Sequence, residues 1–560
     1  MSLTNFKWAG VLSIAFLLAV TGCSKKELSA TNNGNTPPST GTTSQFLADS
    51  MYLYAQQVYY WNTQLPNYQT FNPRQYVNAN DSLGLANEQF AYTRIPKDAN
   101  GNLYEQRIKY DQYGNPQPDN STPKFSYIEY TSDATGGGRN GYVPFSTNSG
   151  NANPMLYTLD GKDNGFGFVI GIVPASYAKN NYLPAVNRDS QYTIVRYVIT
   201  GSPADLAGVK RGSIIAKING QALDYTNNGN AADAIFDNAM RQPNMTLTLF
   251  DPVTKNTSDL SFRSSVYTLN PIFKSTVFNY GGHNIAYLAF LSFTDLATNA
   301  QAVLDSAFNS YAAKGITDII VDLRYNGGGY INTADYLVDL ITPSTNNGKV
   351  MHIDYYNQTM VNKQATLLKN VPLDYDNPSA GNSFSVDYSP ANQTIKIQKA
   401  NAGKIENLSK IYFIVSSGTA SASELVINSL KPYFNVTLIG AQFSDYAKNT
   451  YGKPVGFFEI RIGKFSMWTP NFETRNGANP AQAVSYQGFA TDYQAADDII
   501  YDLGDPREDA LGKAINLISG VTTTSGLSPT INGNMINRVR SKGNVIPVSN
   551  MITKPKRALN

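Results

Sequence analysis

Apolar residues change their period several times along this chain. From Ser44 to Asn62 they recur at intervals near three and four (Phe46, Met51, Leu53, Tyr54, Val58, Tyr59), the spacing of a helix with one buried face. Over about 155–265 short runs replace that period. Phe166 to Ile170 and Tyr192 to Val198 predict strands. Ser202-Pro203-Ala204-Asp205 predicts a short helix, with Ser202 as cap and Pro203 in the first position. Gly212 to Gly220 predicts a strand ending in an Asn-Gly turn. From about 270 to 345 the pattern becomes strand, helix, strand: Ile285–Leu288, Ala297–Ala313 and Ile316–Leu323. The last holds the unbroken run Ile319-Ile320-Val321, as a parallel strand covered on both faces requires. Asn326-Gly327-Gly328-Gly329 follows closely. Ile411–Val415 and Val436–Gly440 predict further buried strands. A helix from Ser421 to about Lys431, stopped near Pro432, lies between them, and Asp505–Ile518 predicts a last helix. Strands alternating with helices indicate an α/β architecture.

The ends of the chain read differently. Lys7 precedes a mostly apolar stretch, Ala9–Ala19, too short to span a membrane comfortably. Val20-Thr21-Gly22-Cys23 follows and resembles a bacterial lipoprotein signal. That resemblance implies removal of residues 1–22 and acylation of Cys23, which would tie the protein to a membrane. Residues 23–43 have the Ser/Thr/Asn/Gly/Pro composition of a flexible tether. The remaining expectations are a mainly helical domain over 44–150, a small β domain over 155–265 and an α/β domain over 266–520. Within the last, the polar, Asn-rich stretch 346–405 reads as an irregular insertion. The tail, 521–560, shows no strong period.

Composition narrows the chemistry. The chain has 44 basic and 41 acidic residues in 560, a net charge of +3. That balance offers no electrostatic footprint for nucleic acid. Cys23 is the only cysteine, so no disulfide is expected in the mature protein. With two histidines and no cluster at metal-ligand spacing, no metal or cofactor is expected.

One serine stands out. Ser421 lies between a predicted buried strand and a helix N-terminus, where free N–H groups favour an oxyanion. The Ala422 N–H is placed to stabilise a tetrahedral intermediate, and the triple glycine can supply a second donor. The same residues, Ser421-Ala422-Ser423-Glu424, also spell a capping box in which serine only caps. A nucleophilic serine needs a base. Neither His283 nor His352 has an obvious acidic partner nearby in sequence. A lysine kept from water can be neutral near pH 7 and serve instead. Lys453 follows Thr450-Tyr451-Gly452 beside a predicted strand, Val455–Ile462. Lys448 is a competitor in what reads as a solvated loop.

Five motifs occur in order: Gly165-Phe166-Gly167-Phe168; Ser202 to Gly220; Asp322-Leu323-Arg324-Tyr325-Asn326-Gly327-Gly328-Gly329; Thr419-Ala420-Ser421-Ala422-Ser423-Glu424; and Thr450-Tyr451-Gly452-Lys453. Together they make residues 160–520 resemble the C-terminal processing, or tail-specific, serine peptidases. The resemblance implies a crotonase/ClpP-like catalytic core with a PDZ-like domain over 155–265. It implies Ser421 as nucleophile and Lys453 as general base, with the Ala422 and Gly328 amides as oxyanion hole. Glu424 and Thr450 would support the site. It further implies that the Gly165, Phe166, Gly167 and Phe168 loop captures polypeptide C-termini by strand addition. The expected protein is a serine endopeptidase acting on unfolded or tail-exposed polypeptides, lipid-anchored to the bacterial envelope, at the outer membrane. The alternative is an inactive PDZ-type peptide-binding lipoprotein. Three positions depart from the family pattern. The step from Ser421 to Lys453 is long, Phe457 stands where many members carry Gln or Glu, and Pro432 stands where some carry an acid. Glu459 shares strand parity with Lys453 and is a candidate substitute.

Overall fold

A computed structural model of the protein describes residues 34–110, 116–131, 157–158, 161–174, 191–223, 230–399, 405–408, 410–442, 449–452, 455–478, 486–521, 540–543 and 551–552. Cys23 and Lys453 lie outside them, as does most of the tail. Among the described residues no helix is long and apolar enough to cross a membrane.

The α/β domain is built on a six-stranded sheet. Its order is Ile272–Tyr280, His283–Phe290, Asp318–Asp322, Lys410–Val415, Asn435–Gln442, Tyr493–Ala496. The first two strands are antiparallel and the rest run parallel. The apolar runs are explained by burial on both faces. Ile285, Tyr287, Ile320 and Ile414 pack beneath the helix Asp509–Ser519. Alternate residues Ala286, Leu288, Ile319, Val321 and Phe413 face the opposite core. That core also takes residues of the helices Gln301–Ala313, Ile331–Ile341 and Ala422–Leu430. Each fully buried Ile, Val or Leu contributes about 1.5–3 kcal/mol.

The stretch 346–405 departs from the expectation of irregularity. Val350–Tyr356 is a strand in a second sheet, between Thr394–Lys396 and Phe472–Asn476. Two of its buried positions are His352 and Asp354, so a polar pair breaks the apolar alternation that would have revealed it. The predicted strand Val455–Ile462 is two strands, Val455–Phe457 and Ile460–Ile462, assigned to different sheets.

The N-terminal region shares the α/β domain's core. Its helices Thr43–Val58 and Asp81–Thr93 bury Met51, Tyr52, Val58 and Tyr92 there. The strand Tyr127–Tyr130 pairs with Phe465–Trp468 in a three-stranded sheet.

A separate core holds the β domain together. The strands Phe168–Pro174, Gln191–Val198, Ile214–Ile218, Asn244–Phe250 and Thr257–Arg263 form one sheet under the helix Asn230–Met240. Phe166, Phe168, Val195, Ile215, Phe236 and Leu247 fill the space between. Phe166 and Phe168 meet Phe262 edge-on. The expected binding loop is thus anchored by its aromatic side chains, and its backbone is what remains for a ligand.

Candidate active site at the Ser421 turn

Ser421 joins the strand Lys410–Val415 to the helix Ala422–Leu430, and its backbone is strained. Its φ of 64° and ψ of −117° lie where non-glycine residues rarely go. Such a conformation costs on the order of 1–3 kcal/mol and persists only where the surroundings impose it. Here the imposition is visible. Thr419 Oγ1 donates to the Leu323 carbonyl at 2.8 Å, and Ser416 Oγ donates to the Arg324 carbonyl at 2.5 Å. The Ala420 N–H and Ser423 Oγ both donate to the Asn326 carbonyl, at 3.3 and 3.1 Å. The turn is therefore sewn to the loop that leads into the glycine run.

Half of the capping box is made: the Ser421 N–H donates to Glu424 Oε2 at 3.1 Å. The Ser421 side chain stands toward the Glu424 amide as a capping serine would, yet its Oγ has no hydrogen-bond partner among the described residues. Ser421 is fully buried. A buried hydroxyl without a hydrogen-bond partner on a strained turn is unusual among buried polar groups. Among the described residues nothing accepts the Ala422 N–H, which belongs to the first helical turn and points along its axis.

Glu424 organises the remainder. It is buried, and it accepts from the Thr450 hydroxyl and from the Gly452 N–H at 2.8 Å, besides the Ser421 amide. Thr450 in turn accepts from the Phe489 N–H at 2.8 Å. Gly452 has φ +81°, and a Cβ there would lie 2.3 Å from the Tyr486 carbonyl oxygen, so only glycine fits. Lys453 is outside the described residues, but the segment that ends one residue before it is fixed to the Ser421 helix.

The glycine run lies alongside. A Cβ on Gly329 would stand 2.2 Å from the Phe293 carbonyl oxygen, which explains the glycine there. The Gly328 N–H donates to Asn326 Oδ1 at 2.8 Å. This amide is engaged in the structure, and it is available to an oxyanion only when Asn326 releases it. Asn326 is held by its own bond to the Phe290 carbonyl at 3.0 Å.

Two residues to which the sequence reading gave no role shape the site. Lys124, from the N-terminal region, is buried, with its Nζ donating to the Tyr486 carbonyl. The ammonium lies 5.3 Å from the Tyr451 ring centroid, and the Tyr451 hydroxyl donates to the Lys124 carbonyl at 2.8 Å. Burial pulls the amine down to about 8, Glu424 partly opposes that shift, and Arg107 adds to it. No spacing signal links position 124 to position 421. The other is Arg324, which is fully buried among Asp322 (2.8 Å), Glu508 (2.6 Å) and Asp497 (3.1 Å). Asp497 also takes Arg211 of the β domain at 2.8 Å and the Tyr325 hydroxyl at 2.7 Å. Burial opposes ionisation of Asp497, but Arg211, Arg196 and Arg324 outweigh it and hold the carboxyl well below its usual range.

The remaining candidates fall elsewhere. Glu459 accepts from Arg461 Nε at 3.0 Å and from Ser466, so it is committed to other partners. Phe457 is buried in the main core. The histidines have acidic partners after all: His283 Nδ1 lies 2.7 Å from Asp318. His352 is bracketed by Asp335 at 2.9 Å and Asp354 at 3.2 Å. Those partners come from other strands and helices or sit across a pleat, and neither histidine touches Ser421 through any described contact.

Comparison with known proteins gives two family matches. Residues 284–478 match peptidase family S41, and residues 194–242 match a PDZ domain. The carboxy-terminal processing protease CtpA of Bacillus subtilis (strain 168) is 26% identical over 266 residues, 48% of this chain and 45% of that protein. The chloroplastic C-terminal processing peptidase of Tetradesmus obliquus is 27% identical over 150 residues, 25% of this chain and 32% of that protein. The chain thus spans less than half the length of either curated relative. A crystal structure of a protein assigned as an S41 protease, from Bacteroides fragilis NCTC 9343, shares the fold. Its TM-score is 0.54 at 18% identity, over 87% of this chain and 100% of that one. The segment that matches peptidase family S41 thus contains the Ser421 turn, Glu424 and Thr450, and the segment that matches a PDZ domain contains the helix opened by Ser202.

Proposed function

We propose that the protein is a serine endopeptidase that cleaves unfolded or tail-exposed polypeptides through an acyl-enzyme at Ser421, with Lys453 as general base. The observation that carries this reading is the Glu424 carboxylate, which holds the amides of both Ser421 and Gly452. One side chain thus ties the nucleophile's turn to the residue before the base. Ser421 Oγ attacks the scissile carbonyl, and the neutral Lys453 amine takes its proton and later returns it to the leaving amine. The Ala422 N–H faces the developing oxyanion. The Gly328 N–H joins it on release from Asn326. Water then hydrolyses the ester. Thr450 orients the lysine-bearing segment.

The PDZ domain presents substrate tails, its loop amides at Gly165 to Phe168 facing a terminal carboxylate. Anchorage through acylated Cys23 places this activity at the bacterial envelope. Incubation with an unstructured protein tests the dyad. Cleavage should be abolished in Ser421→Ala and in Lys453→Ala, and undiminished cleavage in both variants would overturn it. Metabolic labelling with a fatty acid, lost in Cys23→Ser, tests the anchor.

A further inference from the structure

The PDZ sheet ends in a strand that does not come from the PDZ domain. Arg540–Gly543, from the C-terminal tail, pairs antiparallel with Phe168–Pro174. The register sets Arg540 against Ile172, Ser541 against Gly171, Lys542 against Ile170 and Gly543 against Val169. The other edge of Phe168–Pro174 is taken by Gln191–Val198, so without the tail this strand would lie at the sheet's margin. The margin is the one beside the helix Asn230–Met240. Phe236 of that helix meets Phe168 edge-on, and Ala232 packs on Ile172. A strand margin flanked by a helix is where an extended peptide adds to a domain of this kind.

The polarity matches as well. Antiparallel pairing points the tail toward its own C-terminus at Val169, next to the Gly165–Phe168 loop. A bound C-terminal peptide would run the same way, its carboxylate ending at that loop. The tail does not stop there. Met551–Ile552 pairs parallel with Gly456 and Phe457, in the strand that begins two residues after Lys453. The eight residue steps between Gly543 and Met551 can reach at most about 29 Å. One tail thus lies on the peptide-accepting margin and then on the strand leaving the candidate base.

We propose that residues 540–543 are an internal ligand of the PDZ margin, and that an external polypeptide binds there only by displacing them. The proposal rests on the reading of that margin as the peptide site and extends it to an occupant within the same chain. A tethered segment acts at an effective concentration of order millimolar. A peptide that must await the open form binds more weakly by the fraction of molecules that are open. Backbone pairing supplies the contact, so proline, which lacks the N–H donor, should remove it.

The test measures binding and not cleavage. Three proteins are prepared, each carrying Ser421→Ala so that no ligand is cut. One is the full chain, one adds Ser541→Pro and Lys542→Pro, and one ends at Val521. Adjacent prolines cover both parities of the ladder, whichever residue donates. The probe is a labelled, end-capped peptide with the sequence of residues 536–548, followed by fluorescence anisotropy. The proline variant and the truncated chain should bind it about tenfold more tightly than the full chain. Equal affinity in all three overturns the proposal, as does failure of the probe to bind any of them. Tighter binding by the truncated chain alone moves the effect away from 540–543 and overturns it too. If truncation impairs folding, the proline variant decides alone. Because Ser421 is absent throughout, the result is independent of whether Ser421 is the nucleophile.

Discussion

The chain uses the same short motif at two helix starts, and the two outcomes differ. Ser202-Pro203-Ala204-Asp205 opens the PDZ helix Pro203–Leu206, and Ser421-Ala422-Ser423-Glu424 opens the helix Ala422–Leu430. Ser202 has relaxed extended geometry, with φ −73° and ψ 164°. Its Oγ accepts from the Asp205 N–H at 3.3 Å and donates to the Gly167 carbonyl at 3.2 Å. Asp205 is exposed. Ser421 is in a left-handed conformation, its hydroxyl has no partner among the described residues, and its acid is buried under three donors. The first serine spends its hydroxyl on stability. The second withholds it, and the acid does the capping instead. A capping signature therefore does not decide between structure and chemistry; the fate of the hydroxyl does.

The largest expected effect separates the two serines directly. Ser421→Ala should lower kcat/KM on an unstructured substrate by about 10^4-fold or more while the protein stays folded. Ser202→Ala should leave kcat nearly intact and cost about 1 kcal/mol in denaturant unfolding. Equal activity losses in the two would erase the contrast.

The two acids come next. Glu424→Ala orphans two amides and a hydroxyl in the interior and should destabilise by about 3–5 kcal/mol. Asp205→Ala, at the surface, should cost less than about 1 kcal/mol. Urea titration of both reads the difference.

Replacing the strained residue by glycine sharpens the comparison further. Ser421→Gly should raise stability by up to about 1–3 kcal/mol, since glycine accepts φ near +64°. Ser202→Gly should change it by only a few tenths. A lower unfolding midpoint in Ser421→Gly would show that the turn is not strained.

The smallest effects are slopes with pH. Lys124 sits at about 8 in the fold, against a higher value unfolded, so between those two values the unfolded chain holds more protons. Stability of the parent relative to Lys124→Met should therefore rise with pH from about 8 to about 10.4. His352 should do the reverse. Burial opposes its charge, but Asp335 and Asp354 outweigh burial and lift it to about 10. Its contribution is complete below about 6.5 and fades as pH rises to about 10, a loss that His352→Asn should not show. Parallel slopes in the two variants would contradict these assignments.

Much of the frame around Ser421 was legible because it rests on local signals. Ile319-Ile320-Val321 announced a buried parallel strand, and the glycine run and the serine turn each follow a strand of the main sheet as their sequence order suggested. What was hidden is contact between distant segments. Lys124 reaches Tyr486 from 362 positions away, and no periodicity foretells that. Asp335 comes to His352 from a helix, so a histidine that looked isolated is an ion pair. The strand Val350–Tyr356 was masked by the polar residues it buries. Glu459 had the right parity, but a break in the strand turned it to Arg461. The backbone angle of Ser421 was beyond sequence because the motif that spells it also spells a relaxed cap at Ser202.

The ion cluster of Arg324, Asp497 and Arg211 carries one more consequence. Its members are almost wholly shielded from solvent, with side-chain exposures of 1–2%. Mobile ions screen charges only where they can approach them. Brine strong enough to loosen ordinary surface ion pairs should therefore leave the PDZ domain seated on its neighbour, and the two halves keep in step whatever the ionic strength around them.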